Sequence, residues 1–369
     1  MASKVYFTTA RTRSGRNLLD KTASLFERAG FGKFIQKDDL VAIKLHIGEP
    51  GNLAFLQPPL VRRVVEKIKE KGGKPFLTDS NTLYGGYRSN AVDHMESALK
   101  NGFSYETVGA PFIVADGLRG QEYEVVSIDG VRLKEARIGA ALARADAMIA
   151  LTHFKGHGAT GFGGALKNVG MGGACRAGKQ IQHSSLKPRI DQSKCTGCKR
   201  CVKVCPEEAI ALDEAKKAFI DYSLCIGCAE CTITCLEGAI AVNWDQGEEG
   251  SLQERMSEYT LGVVVTKPGK CGFMNFLLNI SPDCDCPGWS DVPIVPNLGI
   301  LASTDPIAID QASVDLVNSA PGLPDSRLGD QLRASDKFAV VHKIDWSYQL
   351  KHGEKIGLGN REYELIEIE

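Results

Sequence analysis

Apolar and polar residues in the first 155 positions alternate between two periods. Leu40-Val-Ala-Ile-Lys-Leu-His-Ile47 is a short β-branched run, which predicts a strand. Pro59 to Lys71 then repeats its apolar residues at helical spacing and stops at Gly72-Gly73. Lys74 to Asp79 reads as a buried strand, Ala91 to Lys100 as a helix and Phe112 to Ala115 as a strand. Ile138 to Arg144 reads as a helix and Ala147 to Thr152 as a strand. Strands alternating with helices of this length make crossover units, so the expected fold is α/β, a mostly parallel sheet with flanking helices. Ligands of such sheets sit beyond the carboxyl ends of the strands. That directs attention to Leu45–Glu49, Asp79–Asn81 and Thr152–Lys155.

From Arg189 to about Trp244 the pattern changes to short strands, tight turns and cysteines. Beyond it, Ser251 to Tyr259 predicts a helix, and Gly262 to Thr266 and Gly299 to Ser303 predict strands. Asp305-Pro306 opens a further helix with an N-cap and a first-turn proline, and Pro321-Gly322 closes it. The α/β alternation thus resumes after the cysteine block. The expected organisation is a discontinuous α/β domain, residues 1–188 and 245–369, interrupted by an inserted α+β domain at 189–244.

Charge narrows the function classes. With 44 Lys and Arg against 45 Asp and Glu, the net charge of −1 argues against a dedicated nucleic-acid binder or a polybasic membrane anchor. The longest apolar stretch, Ile138 to Leu151, is broken by Arg144 and Asp146, short of the roughly 18 apolar residues a spanning helix needs. The N-terminal residues lack the apolar core of a signal peptide. The expectation is a soluble cytoplasmic protein with no nucleic-acid or membrane partner. In a reducing compartment, clustered cysteines bind metal or do redox work more often than they pair.

Of 12 cysteines, eight fall between Cys195 and Cys235. Cys195-Thr-Gly-Cys198-Lys-Arg-Cys201-Val-Lys-Val-Cys205-Pro206 has the spacing C-x2-C-x2-C-x3-C-P, and Cys225, Cys228, Cys231 and Cys235 repeat it with Leu236 in place of the proline. Three cysteines spaced three apart on a tight loop turn their thiolates toward three corners of a cubane, and a distant fourth closes it. Gly197 and Gly227 let the backbone approach the inorganic sulfides. Zinc sites prefer paired knuckles with a long gap, and disulfides suit the compartment poorly. The block resembles two-cluster bacterial ferredoxins, in which the fourth cysteine of each run ligates the other cluster. That resemblance implies two [4Fe–4S] clusters. Cys195, Cys198, Cys201 and Cys235 would hold the first, and Cys225, Cys228, Cys231 and Cys205 the second.

The stretch from Thr152 to Cys175 is rich in glycine. Gly156-His-Gly-Ala-Thr-Gly161 fits a dinucleotide fingerprint but lacks the acidic residue about 20 positions on, and Gly173 to Lys179 nearly fits a phosphate loop but continues with Gln180. What survives is an anion site: glycine N–H groups converging on a small anionic substrate, with Lys155, Lys167 and Asn168 adding charge and orientation. The alternative is a close-packed turn. His153 and His157, with Lys155, are the candidate acid–base groups. His46, Glu49, Lys167, Asn168 and His183 are candidates to contact substrate. Cys175, Cys271, Cys284 and Cys286 remain for a further metal or as redox thiols.

Taken with His46-Ile-Gly-Glu49, His153-Phe-Lys-Gly-His157, Gly161 to Gly172, Asp283-Cys-Asp-Cys286 and Gly299 to Pro306, the whole chain resembles the domain of unknown function 362 family. Its members are often described as iron–sulfur-centre proteins, and the resemblance supplies no settled substrate. The resemblance implies the inserted-ferredoxin architecture and leaves the reaction open. The leading expectation is an oxidoreductase relaying low-potential electrons between an external donor or acceptor protein and a small anion. The alternatives are a non-catalytic carrier docking a redox enzyme, and a metal-handling or cluster-assembly protein using Cys284 and Cys286.

Overall fold

A computed structural model describes residues 2–183, 187–225, 230–242 and 248–369. Eight strands form one sheet: β1 (Ser3–Thr9), β2 (Leu40–Lys44), β3 (Lys74–Asp79), β4 (Phe112–Val114), β5 (Ala147–His153), β6 (Cys271–Leu277), β7 (Gly299–Ser303) and β8 (Tyr363–Glu367). Their order is β8-β1-β7-β6-β5-β2-β3-β4. Strand β7 runs against both of its neighbours, and every other pairing in the sheet is parallel. The fold is therefore α/β with a mostly parallel sheet.

All seven residues of β5 are buried, as a strand covered on both faces requires. Successive side chains point to opposite faces. Val41, Ile43, Ile149 and Leu151 enter one core, with α1 (Leu18–Arg28) and α2 (Pro58–Glu70) over it. Ala42, Met148 and Ala150 enter the other, under α4 (Ala165–Gly173), α6 (Ser251–Val264) and α7 (Pro306–Ser319). Between these in sequence lie α3 (Ala91–Lys100) and α5 (Arg176–Gln182). Local chemistry fixes the helix starts. Asn17 accepts from the N–H groups of Leu19 and Asp20, and Asp305 from those of Ile307 and Ala308. The buried stripe Leu60, Val61, Val64, Val65 and Ile68 on α2 contributes about 1.5–3 kcal/mol per side chain relative to exposure.

Between Pro188 and Val242 the chain makes three-residue strands of its own. Pro188–Ile190 pairs with Ile240–Val242, and Ile210–Leu212 with Ala218–Ile220, both antiparallel. Helices Arg200–Val204 and Glu230–Thr234 pack on each other. Among the described residues no helix is long and apolar enough to cross a membrane.

Three expectations need correction. Ile138 to Arg144 is not a helix: Glu135–Gly139 pairs antiparallel with Tyr123–Ser127, and only Ala140–Ala143 is helical. Gly262 to Val264 continues α6 instead of forming a strand. Val263 is buried against Gly173 of α4, so tertiary packing overrides the β-branched preference. The run from Leu40 leaves the sheet after Lys44, which frees Leu45–Glu49 to form a loop over the strand ends.

Candidate functional site

A cavity of about 300 Å³ opens at the carboxyl ends of β2, β3 and β5. Lys44 closes β2 and Asp79 closes β3, and their charges meet at 2.9 Å. Burial opposes ionisation of Asp79, but Lys44, His94, His46 and Arg88 outweigh it and hold its carboxyl well below the usual range. Asn168, from α4, accepts from Lys44 Nζ at 2.9 Å. Its amide donates to the Leu151 carbonyl and Thr152 Oγ1, each at 3.0 Å. One side chain thus ties the ends of β2 and β5 together.

The cavity wall carries five cationic side chains, Lys44, Arg88, Lys155, Lys167 and Lys179, against one carboxylate, Asp79. Glu49 lies behind this wall and orients Arg88, accepting from its Nε at 2.6 Å and from the Tyr87 N–H at 2.9 Å. Arg88 Nη2 donates to the Tyr84 hydroxyl at 2.6 Å. Lys155 Nζ stands 3.2 Å from Asp285. Lys179 donates to Ser80 Oγ and, at 2.6 Å, to the Ala174 carbonyl, and burial lowers it to about 8. Lys167 makes no ion pair among the described residues. Burial works against its charge, but Cys286, Cys284 and Asp285 outweigh that and raise it above its ordinary value.

Cys284 and Cys286 also line the cavity. His46 Nδ1 accepts the Gly48 N–H at 2.9 Å, so the neutral ring carries its proton on Nε2, which points at Cys286 Sγ from 3.5 Å. A hydrogen bond from the Cys284 thiol, then Lys167 and His46, hold Cys286 well below the ordinary thiol range in spite of burial. The same bond and burial push Cys284 well above it. Of the two thiols, Cys286 is thus the more acidic. His157 Nδ1 accepts from the Ala159 N–H at 3.2 Å and stands 2.9 Å from Thr160 Oγ1, whose proton goes to the Phe162 carbonyl at 2.7 Å, leaving Nε2–H for the cavity. Burial and Lys167 keep it well below its ordinary value.

Of the remaining candidates, His183 lines the cavity and is lowered by burial to about 3. His153 does not line it. Both its ring nitrogens face acceptors, Asp285 at 2.9 Å and the Asn279 carbonyl at 3.0 Å, so neither lone pair is free for a substrate proton. The glycine run forms a hairpin, Lys155–His157 with Gly161–Gly163, followed by α4. The first N–H groups of α4 do not await an anion: Ala165 and Leu166 donate to buried Asp310 at 2.7 and 3.0 Å. Gly170 is needed for contact, because a Cβ there would meet the Met256 carbonyl of α6 at 2.1 Å. Close packing thus accounts for the helical part of the run.

The four leftover cysteines do not converge. Cys175 caps α5, its sulfur accepting the Gly178 N–H, and burial pushes its thiol up to about 11. Cys271 begins β6, at the end of the sheet away from the cavity, and burial pushes it up to about 12. Of the four, only Cys284 and Cys286 share a site, with His46 beside Cys286, and neither Cys175 nor Cys271 is brought to them. Among the described residues no three His, Cys, Asp or Glu side chains are placed to hold a single metal ion.

In the cysteine-rich segment, Cys195, Cys198, Cys201 and Cys235 line one small cavity. Gly197 belongs to it at φ +70°, where a Cβ would strike the Lys216 carbonyl at 2.1 Å. The Ala218 N–H points at Cys195 Sγ from 3.4 Å, and the Ala209 N–H at Cys205 Sγ from 3.2 Å. Thiolates that each bind a different iron stand farther apart than ligands of one ion, and donors to sulfur suit a cluster. The residues present fit such a group. Cys228 and Gly227 of the second set lie outside the described residues, and Cys225, Cys231 and Cys205 lie within them.

Sequence reasoning missed Lys44, Tyr84, Arg88 and Lys179 as cavity residues. Lys44 and Asp79 were signalled by their places at strand ends. Arg88 follows Gly85-Gly86 in the loop after β3, which is the kind of connection that builds sites in this fold.

No curated protein matches the chain. Among solved structures, the lactate racemase apoprotein from Thermoanaerobacterium thermosaccharolyticum is 11% identical with a TM-score of 0.37, the match covering 74% of this chain and 50% of that one. A structural-genomics protein from Thermotoga maritima is also 11% identical with a TM-score of 0.37, covering 70% and 50%. The chain spans about half the length of each. A family model, Domain of unknown function (DUF362), matches residues 41–315. Its membership and cysteine content are compatible with an iron–sulfur protein, and the chain belongs to the Domain of unknown function (DUF362) family.

Proposed function

We propose that the chain is an iron–sulfur oxidoreductase. In this reading residues 189–244 form an inserted ferredoxin-like domain that relays electrons between an external redox protein and a small anion in the cavity of the α/β body. One observation carries it. Helix α5, which gives Lys179 to the cavity wall, packs against the helix Glu230–Thr234 that holds Cys231. The two junctions of the insertion support it, since His183 and Leu252 both line the cavity.

When bound, the two clusters supply one electron each at low potential. The chain's own residues do the rest. Lys167, which makes no ion pair among the described residues, binds the anion, while Lys44 and Arg88 are held in place by Asp79 and Glu49. His157 Nε2–H is placed to donate a hydrogen bond to bound substrate. Leu252, Met256 and Met171 give the cavity an apolar side. Thiolate ligands of this kind persist in a reducing cytoplasm.

The test begins with anaerobic reconstitution of the full chain. Iron and sulfide should each reach about eight per chain, as two cubane clusters require, and Cys198→Ala should lose about half of both. Zinc in place of iron sinks the reading. With clusters loaded, Lys167→Met should raise KM for an accepted anion about tenfold, the equivalent of roughly 1.4 kcal/mol, with iron content unchanged. If no anion accepts electrons and a redox protein binds stoichiometrically instead, the chain is a docking carrier.

A further inference from the structure

We propose that Cys284 and Cys286 form a dithiol–disulfide couple that reduces small anionic disulfides in the cavity, with Cys286 as the attacking thiolate. The proposal deepens the oxidoreductase reading and rests on it for the return of electrons. Both sulfurs are free thiols here and line the same cavity. They stand two residues apart on a loop whose middle residue, Asp285, is fully buried and clamped by His153 at 2.9 Å and Lys155 at 3.2 Å. Clamping Asp285 fixes where the two thiols point.

The groups that bear on the charge of Cys286 are Cys284, His46, Tyr84, Arg88, His157 and Lys167, and the two nearby carboxylates, Asp285 and Glu49, are both engaged by cations, Asp285 by Lys155 and Glu49 by Arg88. His46 presents its Nε2–H from 3.5 Å. Tyr84, kept a phenol by burial, accepts from Arg88 on the same side of the cavity. A thiolate supported by donors and cations is the form that attacks a disulfide, and a neighbouring thiol that keeps its proton is the form that waits to resolve. His46 supports the Cys286 thiolate as a hydrogen-bond donor.

The chemistry balances. Cys286 thiolate attacks one sulfur of R–S–S–R, forming a mixed disulfide as the S–S bond breaks and RS⁻ leaves beside Lys167. Cys284 then attacks Cys286 Sγ, its proton passing to the second departing thiolate. The products are RS⁻, RSH and a Cys284–Cys286 disulfide. Restoring one thiol and one thiolate takes two electrons and one proton. Two electrons are the combined capacity of two one-electron clusters in the same chain. Cavity size and charge select the substrate: about 300 Å³ lined by five cations suits a short disulfide ending in carboxylates.

The probe is 3,3′-dithiodipropionate, with cystamine as a cationic disulfide of similar size, applied to the anaerobically purified, reconstituted full chain. Peptide mapping should find Cys286 of Cys284→Ser carrying one mercaptopropionate. The unsubstituted protein should release two mercaptopropionates and gain the Cys284–Cys286 disulfide. Cys286→Ser and Cys286→Ala should give neither, with melting temperatures unchanged to show that they fold. Reaction with cystamine should be at least tenfold slower. His46→Gln should slow adduct formation and move its pH profile upward. No adduct on Cys286, adducts only on cysteines 195–235, or equal rates with cystamine would overturn the proposal. The mapping needs no electron input, so an adduct on Cys286 in a protein without iron defeats the oxidoreductase reading alone. Two loaded clusters with an inert Cys286 defeat this one alone.

Discussion

The cysteine-rich segment and the cavity of the α/β body are both organised around sulfur, but they are held together differently. Among the described residues, the segment's buried cluster is Cys195, Cys201, Ile210, Ala218, Cys231, Ala239 and Ile240, a small core made in good part of cysteines. The body buries a broad apolar core on each face of an eight-stranded sheet, and its cavity thiols sit on a loop that this scaffold already fixes. A small core leans on what its cysteines bind, whereas a large one lets its cysteines stay available for chemistry.

Iron removal tests this difference most severely. Chelation of the reconstituted protein should expose residues 188–242 to proteolysis outright, because ligation and folding are coupled in so small a unit. The sheet should melt at an unchanged temperature. A fall in the melting temperature of the body, followed by tryptophan fluorescence and circular dichroism, would show that the two regions do not differ in this way.

A smaller effect is expected from Asp285→Asn, which attacks the body where it depends on charge. Removing one partner of a buried ion pair costs about 3–5 kcal/mol, because the other charges stay buried without it, and here both His153 and Lys155 lose a partner. Burial opposes the Asp285 charge, but His153 and Lys155 outweigh it and hold its carboxyl far below the usual range. A depressed carboxyl stabilises the fold above the unfolded value near ~4 and loses that contribution as pH falls toward the folded value. Urea titrations should therefore show wild-type stability declining below pH ~4 from this group, and Asp285→Asn lacking that slope with iron content intact. An equal slope in both proteins would remove Asp285 as the clamp.

The same contrast explains what could be read in advance. The cysteine spacing is local, because four ligands within eleven residues announce themselves without knowledge of the fold. Strand and helix periods gave β2, β3, β5, β7, α2, α3 and α7, since each buries one stripe or an unbroken apolar run. The cavity is non-local. His46 meets Cys286 across 240 residues, and Lys44 meets Asn168 across 124. No spacing rule connects such partners. His153 and Glu49 were correctly placed near strand ends, but only the hydrogen-bond directions show that one clamps Asp285 and the other steers Arg88. Strand β6 escaped notice because Cys-Gly-Phe-Met-Asn-Phe-Leu is a buried run with no alternation and a glycine in it.

The finest test concerns α5, which the two regions share. Lys179 lines the cavity, while its helix packs against Glu230–Thr234. Burial lowers Lys179 to about 8, with Asp116 and Asp79 pulling the other way. As pH rises through that value the cavity loses one positive charge, and succinate affinity measured by calorimetry should fall about fivefold, or roughly 1 kcal/mol. Folding stability should move in the opposite direction over the same range. Between about 8 and the unfolded lysine value of ~10.4 the unfolded chain binds the extra proton, so raising the pH favours the folded state. Lys179→Met should bind succinate at pH 7 as weakly as the wild type does at pH 9 and should lose both slopes. An affinity profile that falls with pH even in Lys179→Met would place the titrating charge elsewhere in the cavity wall, and α5 would then link the two regions by packing alone.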